Sequence, residues 1–368
     1  MKKILLGTSA LAAVALTAGS ASAGAPKVVF DGAVTYDYVF YDNDNRTATG
    51  AVSGQGHSLT ANEQQSELHW TATGSSDNGL EYTARMDWRV LAGGGSGGGM
   101  DESWVKLGGG WGSLVIGQDD GAEGNTPDAN SLNGGPWMTD GNNMGRHMNQ
   151  LGTSLYYFSP TGATGDANKL AYYTPNFSGF SAIVSFTPNT SQSAQAAASS
   201  GGNDNTGEIG LKYSGDFSGV GLTLAGAYIA GTPNSSAGTE LEDIRSYHLG
   251  GLLSVGDFGV GLGYIDSGDS GTTKGSTNEG LNGFNASVSY SMDSLYLNGY
   301  YQNSQDRTGG NTKDNEFELW GVAATYTVAE GLSTYAQFTN TTVESGAGTG
   351  SAFENDANIL VVGTKVSF

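Results

Sequence analysis

Sixteen stretches of this chain alternate apolar and polar residues, and the connections between them alternate in length without exception. The first stretches are Val28–Tyr41, Glu63–Thr73 and Leu80–Val90, and the last is Asn358–Phe368. A strand points successive side chains to opposite faces, so Leu80, Tyr82, Ala84, Met86, Trp88 and Val90 share one face. Glu81, Thr83, Arg85, Asp87 and Arg89 share the other. In the first stretch Val34, Tyr36, Tyr38 and Phe40 oppose Asp31, Thr35 and Asp37. Seven connections are short Gly/Asp/Ser/Pro turns, such as Gly74–Gly79 and Gly108–Gly112; eight are long and polar, such as Asp42–Asn62, Leu91–Asp101 and Asp119–Asn168. A soluble sandwich has no reason to keep every long connection at one end, whereas a membrane barrel keeps its turns on one side and its loops on the other.

Parity alone does not distinguish an apolar face turned to lipid from one turned to a core. The aromatic load near strand ends does: Tyr38, Phe40, Trp111, Phe180, Phe186, Tyr213, Tyr290 and Phe368 suit two interfacial girdles. Closure is required as well, because in lipid every backbone N–H and C=O must be paired within the protein. The expected fold is all-β, a sixteen-stranded antiparallel transmembrane β-barrel wide enough to enclose water.

Both ends of the sequence agree with this. Lys2 and Lys3 precede an apolar run from Ile4 to Ala18, and Ala21-Ser22-Ala23 supplies small residues for cleavage, so residues 1–23 read as a secretory signal peptide and 24–368 as the barrel. The last stretch sets Leu360, Val362, Thr364, Val366 and Phe368 on one face and Ile359, Val361, Gly363, Lys365 and Ser367 on the other. Beyond residues 1–23 no apolar run approaches the roughly 20 residues of a membrane helix.

Composition excludes several functions. With no cysteine, disulfides and thiolate metal sites are absent. The net charge of −21 becomes −23 once Lys2 and Lys3 are removed, which argues against nucleic acid as a partner. Gly93–Gly99 resembles a phosphate cradle only in glycine count, since no Lys-Ser/Thr follows. His57, His69, His147 and His248 have no metal-ligand spacing, and no nucleophile elbow occurs, so no catalytic residue is expected. No cofactor or metal is expected either. Calcium at Asp42-Asn43-Asp44 is the one ion with suitable hard ligands, set against diffuse divalent cations linking acidic loops to lipopolysaccharide.

The third long connection, 119–168, is the candidate site. Such a stretch fits a wide barrel because it can fold into the lumen and narrow it. Its early part carries Asp119, Asp120, Glu123, Asp128 and Asp140, while Lys27, Arg85, Arg89, Lys106, Lys169, Lys212 and Lys365 lie on lumen-facing parity of the wall. Acidic loop facing basic wall would set a transverse field that orders water and penalises apolar solutes. Alternatively, the basic groups pair with nearby carboxylates.

Several segments resemble the trimeric general-diffusion porins of Gram-negative bacteria, most nearly the sixteen-stranded porins of α- and β-proteobacteria. They are Trp111-Gly-Ser-Leu-Val-Ile-Gly-Gln-Asp119, Leu170-Ala-Tyr-Tyr-Thr-Pro-Asn-Phe-Ser-Gly-Phe180, Trp320-Gly-Val-Ala-Ala-Thr-Tyr326 and Val361-Val-Gly-Thr-Lys-Val-Ser-Phe368. The resemblance implies a homotrimer in the outer membrane, a third loop folded into the pore, and Phe368 as a signal read by the barrel-assembly machinery. It maps the acidic constriction onto Asp119–Gln150, with Leu151–Asn168, including Leu155-Tyr-Tyr-Phe158, as an extension. The function implied is passive diffusion of ions and small hydrophilic solutes, with mild cation preference from the acidic balance. A substrate-selective channel with a saturable site, or a plugged barrel acting as an adhesin, are the alternatives.

Overall fold

A computed structural model describes residues 25–43, 54–61, 66–89, 99–127, 158–192, 202–234, 239–307, 314–344, 346 and 354–368. Their strands are β1 (Lys27–Asn43), β2 (Gly54–Ala61), β3 (Glu67–Ser75), β4 (Glu81–Arg89), β5 (Gly99–Gly109), β6 (Gly112–Gln118), β7 (Asn168–Tyr173), β8 (Phe180–Asn189) and β9 (Asn203–Asp216). They continue as β10 (Val220–Pro233), β11 (Ile244–Val255), β12 (Phe258–Asp266), β13 (Glu279–Met292), β14 (Leu295–Arg307), β15 (Asn315–Ala329), β16 (Leu332–Glu344) and β17 (Glu354–Ser367). From β3 onward each strand pairs antiparallel with the next, and β17 returns to β1 from Ala33↔Ser367 to Asn43↔Ala357.

β2 and β3 are two segments of one wall strand. β1 pairs with Leu68–Thr73 through its first residues and with Gly54–Ala61 through its last. At the break, the Ser66 hydroxyl accepts the Thr35 N–H at 2.9 Å and donates to the Thr35 carbonyl, standing in for a rung of the ladder. The barrel therefore has sixteen wall strands, as alternation predicts. The connection 42–62 is corrected, because Gly54–Ala61 belongs to the sheet. This segment lacks an apolar face, because it is held by backbone pairing to β1 and not by burial, so side-chain patterning does not reveal it.

All seven short turns carry a residue in the left-handed region: Gly79, Gly112, Gly179, Gly219, Gly256, Asp293 and Gly331. Tight hairpins need such a residue to match the twist of their strands. At Gly331 the need is double, since φ is +73° and an added Cβ would lie 2.5 Å from the Ser367 carbonyl oxygen.

The faces sort as expected. Tyr36, Phe40, Trp70, Met86, Leu211, Leu262, Trp320 and Leu360 are exposed on the outer wall. Thr35, Asp37, Ser185, Glu208, Ser246, Gln302, Thr339 and Gln337 are buried on the inner one. The inner wall is not uniformly polar. Val39, Ile265, Leu281, Phe317, Leu319, Val343, Ile359 and Val361 form a buried cluster on the inward parity of β1 and β12–β17, joined by Phe158 from the connection between β6 and β7.

Candidate functional site

The opposite part of the inner wall, β3 to β9, is charged. Inward residues recur at every second position, and the β3–β4 register sets Glu67 opposite Arg89, His69 opposite Asp87 and Thr71 opposite Arg85. Arg89 bridges Glu67 at 3.1 Å and Asp101 at 2.8 Å, and Arg85 donates through Nε to both oxygens of Asp87 at 2.8 Å. His69 Nδ1 lies 2.7 Å from Asp31 and its Nε2 3.4 Å from Glu67. Between Met86 and Trp88 the β4–β5 register slips, with Asp101 and Glu102 together opposite Asp87. Such a bulge re-aims side chains. Here Asp101 reaches Arg89, and Glu102 accepts the Trp104 indole N–H at 3.4 Å.

Arg85 and Arg89 are thus paired to wall carboxylates. Arg89 also lies within electrostatic reach of Asp120 and Asp166 on the connection between β6 and β7. Lys106 stands 5.9 Å from the Trp104 ring centre, and Lys365 is half-buried within reach of Glu67. Lys27 is exposed at the start of β1, opposite Thr73, and Lys212 is exposed on β9.

The two described ends of the 119–168 connection, 119–127 and 158–167, attach to inward side chains of β8, β9 and β11 and to Ser267 just after β12. The backbone turns once over Gly121–Thr126, with the Asn125 N–H donating to the Gly121 carbonyl and the Thr126 hydroxyl to that of Ala122. This turn lies directly over Gly210 of β9, where a Cβ would come within 2.7 Å of the Ala122 oxygen. The Ala122 N–H donates to Ser185 Oγ at 2.9 Å and the Glu123 N–H to Glu208 Oε2 at 3.0 Å. From the far end of the connection, the Thr164 N–H donates to Glu208 Oε1 at 3.2 Å. Thr161 is held by Ser246 and Ser267, its N–H donating to Ser267 Oγ at 2.9 Å and its carbonyl accepting the Ser246 hydroxyl. The buried Lys169 ammonium donates to the carbonyls of Asp119, Gly165 and Ala167.

Glu123 meets His248 Nδ1 at 3.2 Å, both almost fully buried. Burial pushes the carboxyls of this segment upward. Asp119 rises to about 6 through burial and then the neighbouring Asp120 charge. Asp120 and Asp166 rise chiefly by burial, and Glu123 does so against the opposing pull of His248. Asp119, Asp120 and Glu123 therefore share one patch of the inner wall, whereas Asp128 and Asp140 lie outside the described residues, as do residues 1–23, His147 and Asp44. Among the described residues no group of three His, Cys, Asp or Glu is placed to hold a metal ion. Glu208, Ser185, Asp166, Glu67, Asp101 and Glu102 are site residues that the acidic-loop and basic-wall pattern missed. Period-two parity marks Glu208 as inward, but nothing local shows what it meets.

A sequence profile described as Gram-negative porin matches residues 10–346. No match is found among curated proteins. Similar solved structures include an anion-selective porin from Comamonas acidovorans, 16% identical over 93% of this chain and 100% of that one, with a TM-score of 0.65. OmpT of Vibrio cholerae in trimer form is 13% identical over 94% and 100%, TM-score 0.63. The outer membrane channel DcaP of Acinetobacter baumannii is 12% identical over 95% and 100%, TM-score 0.62.

Proposed function

Because the chain belongs to the Gram-negative porin family, and so to the outer membrane of a Gram-negative bacterium, we propose that it is a water-filled channel for passive diffusion of ions and small hydrophilic solutes, with mild cation preference. The observation that supports the preference is the charge census of the inner wall from β3 to β9. Glu67, Asp87, Asp101, Asp119, Asp120, Glu123, Asp166 and Glu208 outnumber Arg85, Arg89, Lys106, Lys169 and Lys212 there, and Arg85, Arg89 and Lys169 are engaged by carboxylates or carbonyls. An excess of fixed negative charge in a confined aqueous path raises the local cation concentration. The anion selectivity in the name of the Comamonas protein is therefore not transferred to this chain.

In this reading the 119–168 connection folds into the lumen and narrows it, its ends lying against β8, β9 and β11. The functional unit is a homotrimer, the form given for the Vibrio cholerae OmpT structure. The protein works as a channel and not as an enzyme, without a resident cofactor, among outer-membrane lipid and lipopolysaccharide. Single-channel recording in planar bilayers under a salt gradient tests it. Ohmic openings in groups of three, with a reversal potential of cation-preferring sign, are expected. A correctly folded protein that does not conduct would refute the channel reading, and an anion-preferring reversal potential would refute the selectivity.

A further inference from the structure

Glu208 and Lys169 contact the same two chain ends by opposite chemistry. The Glu208 carboxylate on β9 accepts backbone N–H groups from Glu123 at 3.0 Å and from Thr164 at 3.2 Å, residues at opposite ends of the 119–168 connection. Its Oε2 also accepts the Ser185 hydroxyl at 3.1 Å, and Ser185 in turn accepts the Ala122 N–H. The Lys169 ammonium at the start of β7 donates to carbonyls from both ends too, Asp119 on one and Gly165 and Ala167 on the other. An anion takes the donors and a cation takes the acceptors. Both side chains are buried, with Glu208 3% and Lys169 4% exposed, and each influences the other electrostatically.

We propose that Glu208 and Lys169 form a brace that clamps the stem of the 119–168 connection to the wall and so sets the bore of the channel, a positioning role distinct from attracting ions. The inference rests on the diffusion-channel reading above. Charge-assisted hydrogen bonds to backbone groups are among the stronger bonds available, and those buried from competing water lose most when one partner is removed. Without the brace, the stem can leave the wall while the barrel ladder stays intact.

The sign of the charge change separates a brace from an electrostatic role. Glu208→Gln removes a negative charge and Lys169→Met a positive one, so a purely electrostatic role shifts cation preference in opposite directions and leaves size exclusion alone. A brace predicts that both variants shift the same way: the disaccharide-to-pentose permeation ratio in liposome swelling rises, and open-channel current noise rises with it. Trimer mobility and heat modifiability serve as the folding control. Ser185→Ala, which breaks the hydroxyl bridge without altering charge, decides the question if either charge variant fails to assemble, and it is expected to raise the ratio in the same direction. Folded variants whose permeation ratio is unchanged, or shifts oppositely in the two charge variants, would overturn the brace while a conducting wild type leaves the channel reading intact. A silent wild type refutes the channel reading itself.

Discussion

Gly32 and Phe368 exchange both backbone hydrogen bonds, each N–H donating to the other's carbonyl at 3.0 Å. The last residue of the chain is thereby a full rung of the seam between β1 and β17. Its ring lies on the outer wall 6.2 Å from Phe30, which is 5.1 Å from Trp70, so the seam ends in an aromatic cluster.

Phe368→Ala keeps the rung and removes the ring. Loss of such aromatic pairing costs about 0.5–1.5 kcal/mol, little for a closed barrel. If Phe368 also serves assembly, the yield of heat-modifiable trimer in the outer membrane falls far more than the thermal stability of the trimers that do form. Comparing the two quantities in the same preparation checks this, and a parallel decline would leave the ring with a packing role alone.

Arg89→Ala leaves Glu67 and Asp101 without their bridging guanidinium. The side chain is one-third exposed, so the loss of stability should be about 1 kcal/mol or less. The effect on permeation is larger, because one fixed positive charge disappears from an already acidic wall. The reversal potential under a salt gradient should move toward cations, and Arg85→Ala should move it the same way by releasing Asp87.

Glu123→Ala strips His248 of its buried partner. Leaving a buried polar group without its partner costs about 1–3 kcal/mol, and here that cost falls on the attachment of Gly121–Thr126 and not on the sheet. Hydrogen–deuterium exchange should accelerate at the amides of Ala122, Glu123 and Thr126 while the strands of the wall stay protected. Unchanged exchange at these amides would show that Glu208 and Ser185 alone hold the turn.

Acidification should weaken cation preference. Asp119 titrates at about 6, and burial raises Asp120, Glu123 and Asp166 as well. Each is charged above its value and neutral below it, so lowering pH from about 7 to about 5 removes negative charge from the lumen. Linkage has the same origin: a carboxyl that binds its proton more tightly when folded favours the native state at low pH, and that contribution is lost as pH rises through about 6. Reversal potentials measured across this range, with Asp119→Asn flattening part of the change, check the assignment.

Strand number, the sorting of faces and the alternation of short turns with long connections were legible in the sequence, because each depends on a period of two or on turn residues that act within a few positions. Tyr36, Trp88, Arg85 and Asp87 point as their parity requires. Strand ends were less legible. β9 runs over Asn203–Asp216 while alternation marks only Glu208–Tyr213, since the polar extensions are held by backbone pairing.

What only the tertiary structure decided is which inward groups meet. The bulge opposite Asp87 turns Asp101 toward Arg89, converting an apparent row of wall cations into ion pairs. Closure brings Phe158 to Ile265 and Leu281, making part of the inner wall apolar. Glu208 finds Glu123 from 85 residues away and Thr164 from 44. Parity is a local property of one strand, but contacts across a lumen depend on the register of every intervening strand, and no short-range pattern carries that sum.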